Sequence, residues 1–99
     1  DTRRAEWVFG VGYGANLKLA EDTIRETIMA DERSRTEPSP FIQVNNLGES
    51  SVDFLVRVWC SSGDYFQYQA DMKRRVKEAL DGAGVPIPFP TRTIVNVKE

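Results

Sequence analysis

The sequence predicts an α+β domain with the element order βαββαβ, a ferredoxin-like sandwich in which two helices cover one face of a mostly antiparallel sheet. Three observations predict it. Four segments carry the alternation or the apolar runs typical of strands: residues 4–13, 41–47, 51–60 and 89–97. Two others repeat apolar residues at helical spacing: residues 17–30 and 65–83. The short link between the second and third strands begins with glycine and predicts a hairpin.

The predicted strands have one apolar face and one mixed face. In the third strand the mixed face carries Asp53, Leu55, Arg57 and Trp59. In a ferredoxin-like sheet the first and third strands are central, and the second and fourth are edges. Proline cannot donate a ladder hydrogen bond, so it is tolerated at edges and strand starts. The prolines flank the second strand and open the fourth, which agrees with the predicted strand order: Pro38, Pro40, Pro88 and Pro90.

The first helix is predicted from its cap and its apolar stripe. Asn16 precedes it and is a good N-cap, because its side-chain oxygen can accept from a free backbone N–H of the first turn. Glu21 and Arg25 are spaced four apart on the exposed side and should form a weak ion pair. Ile24 of this helix and Leu80 of the second are predicted to pack between helices and sheet.

The second helix has signals at both ends. Asp64 and Gln67, three residues apart, resemble a capping box at its start. Gly84 is placed to end it in a left-handed conformation. Within the helix, Asp71 is spaced to pair with Arg75, and the basic cluster around them is interpreted as a solvated face.

Composition excludes several classes of protein. A chain of 99 residues fits one domain, and 40% hydrophobic with 28% charged residues is typical of a globular chain and not of a disordered one. The net charge of −2 lacks the basic excess that nucleic-acid domains use to neutralise phosphates, so no nucleic-acid partner is expected. Cys60 is the single cysteine, and no apolar run approaches the ~20 residues that span a bilayer.

We find no catalytic, cofactor-binding or metal-binding constellation in the sequence, and therefore expect neither an enzyme nor a cofactor. Histidine is absent, so Cys60 has no imidazole to activate it and is interpreted as a buried small hydrophobe. The glycine-rich stretch at residues 10–14 is not G-x-G-x-x-G, and two of its glycines alternate within a strand. They are interpreted as allowing the close approach of another element, or a bulge.

The sheet face away from the helices is the candidate functional surface. It is predicted to carry Val8, Leu55 and Trp59, with Ile94 as a further candidate. A partly apolar sheet face of this kind needs a partner. Leu55 and Trp59 are therefore the candidate interface residues.

Three stretches resemble one family, the small-conductance mechanosensitive channels. Residues 3–13, Arg-Arg-Ala-Glu-Trp-Val-Phe-Gly-Val-Gly-Tyr, resemble the start of that family's C-terminal cytoplasmic α/β domain. Residues 47–52, Leu-Gly-Glu-Ser-Ser-Val, continuing to Val-Arg-Val-Trp at 56–59, are similar to its hairpin. Residues 84–90, Gly-Val-Pro-Ile-Pro-Phe-Pro, are similar to its proline-aromatic-proline stretch before the final strand.

The resemblance implies a part of a bacterial channel. Residues 1–99 would be a single α/β domain of a longer subunit, on the cytoplasmic side of the inner membrane and attached to it through N-terminal helices that this piece lacks. Seven copies would build a vestibule with side openings, through which ions and small solutes leave the cell on hypo-osmotic shock. The pore helix and the middle β domain would precede this piece, and little of the terminal barrel would remain in it.

Two other classes of function are compatible with the sequence. A free-standing ferredoxin-like ligand-binding or regulatory module would need a polar pocket or a dimerising edge, and the sequence has no pocket motif. A small hydrolase has the least support, because no acid–base pair is present. Hydrophobic spans encoded immediately upstream of Asp1 would favour the channel. The excised domain is expected to be a monomer or a weak oligomer, because association carries a cost estimated at ~4–15 kcal/mol.

Overall fold

A computed structural model describes residues 1–88 of the chain. Its strands and helices are β1 (Thr2–Val11), α1 (Leu17–Met29), β2 (Phe41–Leu47), β3 (Val52–Ser61) and α2 (Tyr65–Gly82). A single 3₁₀ turn, Ser62–Asp64, leads from β3 into α2. The predicted strand at residues 89–97 lies outside the described residues. The described elements otherwise follow the predicted order.

The described sheet has the strand order β1-β3-β2, and both pairs are antiparallel. Leu55 of β3 lies between Val8 of β1 and Gln43 of β2, which fixes the register of all three strands. The β2–β3 ladder slips between Val44 and Asn46, so that the intervening residue forms a bulge. The α+β class, the central third strand and the second strand beside it are therefore confirmed.

The core lies between the sheet and the two helices. Alternate residues of β1 and β3 point into it, which is the period-2 pattern that the sequence predicts. The helices contribute the stripes predicted from their spacing, and Ile24 and Leu80 are 0% and 1% exposed. The largest fully buried side chains include Tyr68, Phe54, Ile24, Ile28, Met72 and Leu80. One continuous cluster thus holds α1, α2 and the sheet together.

Two of the predicted helix ends are confirmed. The Oδ1 of Asn16 accepts a hydrogen bond from the backbone N–H of Leu19 at 3.0 Å, as an N-cap does. Gly84 has φ of +78°, the left-handed conformation that glycine adopts without steric cost. The N–H of Val85 then bonds to the carbonyl of Leu80 at 3.0 Å, which satisfies one of the last free carbonyls of α2.

The predicted capping box at the start of α2 is wrong. Asp64 precedes the helix, but its side chain makes no capping hydrogen bond. The reason is the preceding 3₁₀ turn, which holds Asp64 at φ −95°, ψ −8° in place of the extended conformation of an N-cap. Gln67 bonds to Asp71 instead, with its Nε2 donating at 2.8 Å.

The predicted pair of Asp71 with Arg75 is also wrong, because the loop after α1 comes back against α2. The carboxylate of Asp71 pairs with Arg33 at 3.1 Å, and the guanidinium of Arg75 pairs with Asp31 at 3.0 Å. Helical spacing alone could not show that residues more than 30 positions away compete for these partners. The predicted pair of Glu21 with Arg25 is present at 3.3 Å.

Candidate interaction surface

The candidate surface is the sheet face opposite the helices, which we call the open face. Its members are the residues that alternate with the buried ones and lie opposite each other across the strands. They are Arg4, Glu6 and Val8 of β1, Asp53, Leu55, Arg57 and Trp59 of β3, and Phe41 and Gln43 of β2. This face is where the sequence placed Val8, Leu55 and Trp59. Ile94 lies outside the described residues.

The apolar side chains of the open face lie in two separate places. Leu55 lies directly opposite Val8, which is 60% exposed, while Trp59 lies opposite Arg4. Leu55 and Trp59 are themselves only partly exposed. They are four residues apart on one strand, a separation of ~13 Å at ~3.3 Å per residue. The structure therefore brings both candidates to one face but does not join them into one patch.

Between them lies an ionic cluster that the sequence pattern does not predict. The Nε of Arg57 donates to Glu6 Oε1 at 3.0 Å, and Arg4 approaches the same oxygen at 3.7 Å. On the other side the guanidinium of Arg57 lies 5.7 Å from the ring centroid of Phe41. Cross-strand pairs of opposite charge hold side chains in place while contributing little to stability at the surface. The alternation pattern could have revealed this cluster, but only after the register of β1 against β3 was known.

Gly10 and Gly12 both make the close contacts that the sequence predicts, but the prediction that both lie within the first strand is wrong, because β1 ends at Val11 and Gly12 begins the link to α1. A Cβ on Gly10 would lie 3.0 Å from Asp53 Oδ1. That carboxylate is held by Ser51, whose Oγ donates at 2.8 Å, and by Asn46, whose Nδ2 donates at 3.1 Å. The N–H of Gly12 donates to the carbonyl of Pro86 at 2.7 Å. Packing of the chain on itself thus accounts for Gly10 and Gly12.

The strongest electrostatic site lies away from the open face, in the loop after α1. Arg33 donates twice to Asp31 through its side chain, at 2.9 and 2.8 Å, and once through its backbone N–H. These bonds lower the pKa of Asp31 to about 2. The Oγ of Ser34 in turn donates to the carbonyl of Ile28 at 2.6 Å. The arrangement anchors this loop and offers no group poised for proton transfer near neutral pH.

Two further groups have raised pKa values because they are buried. Burial raises the pKa of Tyr68 to about 12, and its hydroxyl shares a 2.6 Å hydrogen bond with Ser34. Burial also raises the pKa of the Cys60 thiol, which keeps it protonated and unreactive. The burial of Cys60 agrees with its interpretation as a small hydrophobe, and Tyr68 is a core residue as well. Within residues 1–88 no group of three or more acidic or cysteine side chains is arranged to hold a metal ion.

No helix among residues 1–88 combines the length and the apolar character needed to cross a membrane.

Known proteins resemble the chain over nearly all of its length. The family model described as "Mechanosensitive ion channel MscS, C-terminal" matches residues 5–87. A small-conductance mechanosensitive channel of Helicobacter pylori is 39% identical over 88 residues, which are 88% of this chain and 32% of that protein. An MscS family protein of Synechocystis is 37% identical over 92 residues, covering 93% of this chain and 31% of the relative.

The fold is similar to that of a solved channel. The crystal structure of Helicobacter pylori MscS in its closed state matches with a TM-score of 0.85 and 37% identity, over 91% of this chain and 36% of that one. Sequence and fold together define a domain of an ion channel. The chain belongs to the MscS family of mechanosensitive ion channels and corresponds to its C-terminal domain. It spans about a third of the length of the relatives that it matches.

Proposed function

We propose that this chain is the cytoplasmic vestibule domain of a tension-gated channel in a bacterial inner membrane. The parent protein would release ions and small solutes on hypo-osmotic shock. The observation that carries this proposal is the match to the MscS C-terminal domain over residues 5–87, with the same fold at a TM-score of 0.85. A subunit with the length of the matched relatives would have about two-thirds of its chain outside the piece described here.

Within that channel the domain would contribute assembly and solute passage rather than tension sensing. The described fold supports this role, because one core holds both helices against one face of the sheet and leaves the open face for contact with a neighbour. The partners would be other copies of the same subunit, seven in the full-length channel. The open face, with Leu55 and Trp59, would contact a neighbouring domain, since large aromatic side chains commonly anchor interfaces.

Survival of osmotic shock tests the proposed function. The full-length gene is expressed in a bacterial strain that lacks its own mechanosensitive channels, and cells are shifted from high to low osmolarity. We expect the gene to restore survival, and patch recordings to show tension-activated currents. Absence of both, with the protein present in the membrane, would contradict the proposal. The upstream coding sequence is a simpler check, since it should encode hydrophobic spans before Asp1.

The role of the open face is tested by Trp59→Glu in the full-length channel. We expect fewer assembled channels at an unchanged tension threshold, because the change alters a contact and not the pore. Leu19→Glu is the matched control, since Leu19 is 41% exposed on α1, away from the sheet. Thermal melting of the 99-residue chain with each substitution separates loss of contact from loss of fold. Normal channel numbers with a strongly shifted threshold would place the domain in gating instead.

A further inference from the structure

We infer that residues 31–40, which link α1 to β2, form a strap that opens and closes on the folded domain by exchanging ion-pair partners with α2. The inference goes beyond the proposed function, which gives this segment no role of its own. All ten residues are described, and they form neither helix nor strand. None of them is among the buried hydrophobic residues of the described chain. The strap can therefore lift without removing a side chain from the core, which is the condition for local opening.

Two hydrogen bonds of Ser34 hold the middle of the strap in the closed position that the structure shows. Its Oγ donates to the carbonyl of Ile28 at 2.6 Å and shares a second bond, also of 2.6 Å, with the hydroxyl of Tyr68. When the strap lifts, water can replace Ser34 at both groups. Opening therefore exchanges bonds within the protein for bonds to water, at a modest net cost.

Arg35 attaches the strap to the edge of β3. Its backbone N–H donates to the carbonyl of Trp59 at 2.9 Å, and its guanidinium donates to the Oγ of Ser61 at 3.1 Å. The ladder between β2 and β3 reaches only to Arg57, so the strap covers the part of this edge that β2 leaves free. Opening of the strap uncovers the Trp59 carbonyl, at one end of the central strand of the described sheet.

The charges between the strap and α2 have a second set of partners. In the closed position Arg33 pairs with Asp71 at 3.1 Å, and Arg75 pairs with Asp31 at 3.0 Å. Within the strap, Arg33 also pairs with Asp31 at 2.8 Å. Asp71 and Arg75 lie four residues apart on α2, the spacing at which helical neighbours pair. Each charge thus has a partner within its own segment when the strap lifts, and opening leaves no charge unpaired.

Amide hydrogen exchange in the 99-residue chain tests whether the strap opens independently of the core. The amide of Arg35 reports the strap, and the amide of Val76, inside α2, reports the core. Leu80→Ala weakens the core and should speed exchange at Val76 by roughly 30-fold or more. Exchange at Arg35 should change by less than about twofold in this variant, and it should not rise with urea below the unfolding transition.

Two results of this experiment would overturn the inference. Equal acceleration of Arg35 and Val76 by Leu80→Ala would mean that the strap opens only when the domain unfolds. Exchange of the Arg35 amide at the rate of an unfolded peptide would mean that the strap is not closed in solution.

Asp71→Asn and Arg75→Gln, made singly and together, test the exchange of partners. Each single substitution removes one ion pair from the closed position and one from the open position, so exchange at Arg35 should change by less than about twofold. The double substitution removes two pairs from the closed position and one from the open position. Exchange at Arg35 should then be about twofold to fivefold faster.

Lys77→Gln is the matched control, because it breaks an exposed pair with Asp81 on the same helix, away from the strap, and should leave the exchange rate of Arg35 unchanged. If each single substitution speeds exchange and the double variant shows the product of the two effects, the charges have no second arrangement and the inference is wrong. An unchanged rate in the double variant would overturn it equally. None of these outcomes affects shock survival of cells carrying the full-length channel, which tests the proposed function separately.

Discussion

The indole Nε1 of Trp7 donates a 2.9 Å hydrogen bond to the backbone carbonyl of Gln69, joining β1 to α2 across 62 positions of the chain. The same indole packs edge-on against Tyr68, with ring centroids 5.7 Å apart. Trp7 is 5% exposed. One side chain therefore contributes both apolar burial and a directional bond at the interface between sheet and helix.

Trp7→Phe should lower the free energy of unfolding by about 1–3 kcal/mol, because it removes the hydrogen bond and leaves part of the indole volume empty. Trp59→Phe is the matched control, since Trp59 lies on the open face and is only partly buried. Urea denaturation of both variants provides the measurement. Equal losses for the two would show that the bond to Gln69 contributes nothing specific.

Leu80→Ala should cost about 2–5 kcal/mol, because Leu80 is 1% exposed and its removal leaves a cavity under α2. Leu19→Ala, at a position that is 41% exposed, should cost less than about 1 kcal/mol. Denaturant melts measure both. A loss below half a kcal/mol at Leu80 would mean that α2 packs through another face.

Protonation of Asp31 should make the free energy of unfolding depend on pH in the acid range. Its pKa is lowered from 3.8 to about 2 in the folded chain, so the stabilisation is fully present well above pH 3.8 and is lost as the pH falls through 2. Asp31→Asn should lower the free energy of unfolding by on the order of 2 kcal/mol at pH 7. It should also weaken the dependence of that free energy on pH in the acid range. The measurement is the free energy of unfolding against pH. Asp22→Asn, which breaks an exposed pair with Lys18, should leave the curve nearly unchanged.

Gly10→Ala should destabilise the fold by up to about 1 kcal/mol, because the added methyl would lie 3.0 Å from Oδ1 of the Asp53 carboxylate, which hydrogen bonds from Ser51 and Asn46 hold in place, while the smaller entropy of the unfolded chain offsets part of the cost. The effect should shrink in the Asp53→Ala background, and a double-mutant cycle measures that coupling. Gly63→Ala is the control, since no atom lies within 4 Å of the added methyl and its φ is not left-handed. Equal costs in both backgrounds would show that the contact with Asp53 is not the cause.

The isolated domain should bind neither nucleotides nor RNA tightly. Gly10 packs against Asp53, and the backbone N–H of Gly12 is already bonded to the carbonyl of Pro86, so it is not available to a phosphate. Lys73 and Arg74 are basic, but the net charge of −2 lacks the basic excess with which nucleic-acid domains neutralise phosphates. Calorimetric titration with ATP, NAD and a short RNA should give no signal. Micromolar binding of any of them would contradict this prediction.

The sequence by itself determined the described helices and strands, because their signals lie in residues that are close together along the chain. The alternation in β1 and β3, the helical spacing of Ile24 and Leu80, the cap at Asn16 and the left-handed Gly84 depend on neighbours along the chain. Period, propensity and capping are properties of a few consecutive residues. The family too could be identified from three short stretches, because they are contiguous in sequence.

Only the tertiary structure decided which distant residues share a partner. The ion pair of Glu6 with Arg57 depends on the register of β1 against β3. Asp31 pairs with Arg75 because the loop after α1 returns to α2. The capping prediction at Asp64 failed for a related reason, since a 3₁₀ turn set its backbone before the helix began. Ion pairs form with whichever opposite charge lies nearest in space, and spacing along one helix gives no information about a competitor from another element.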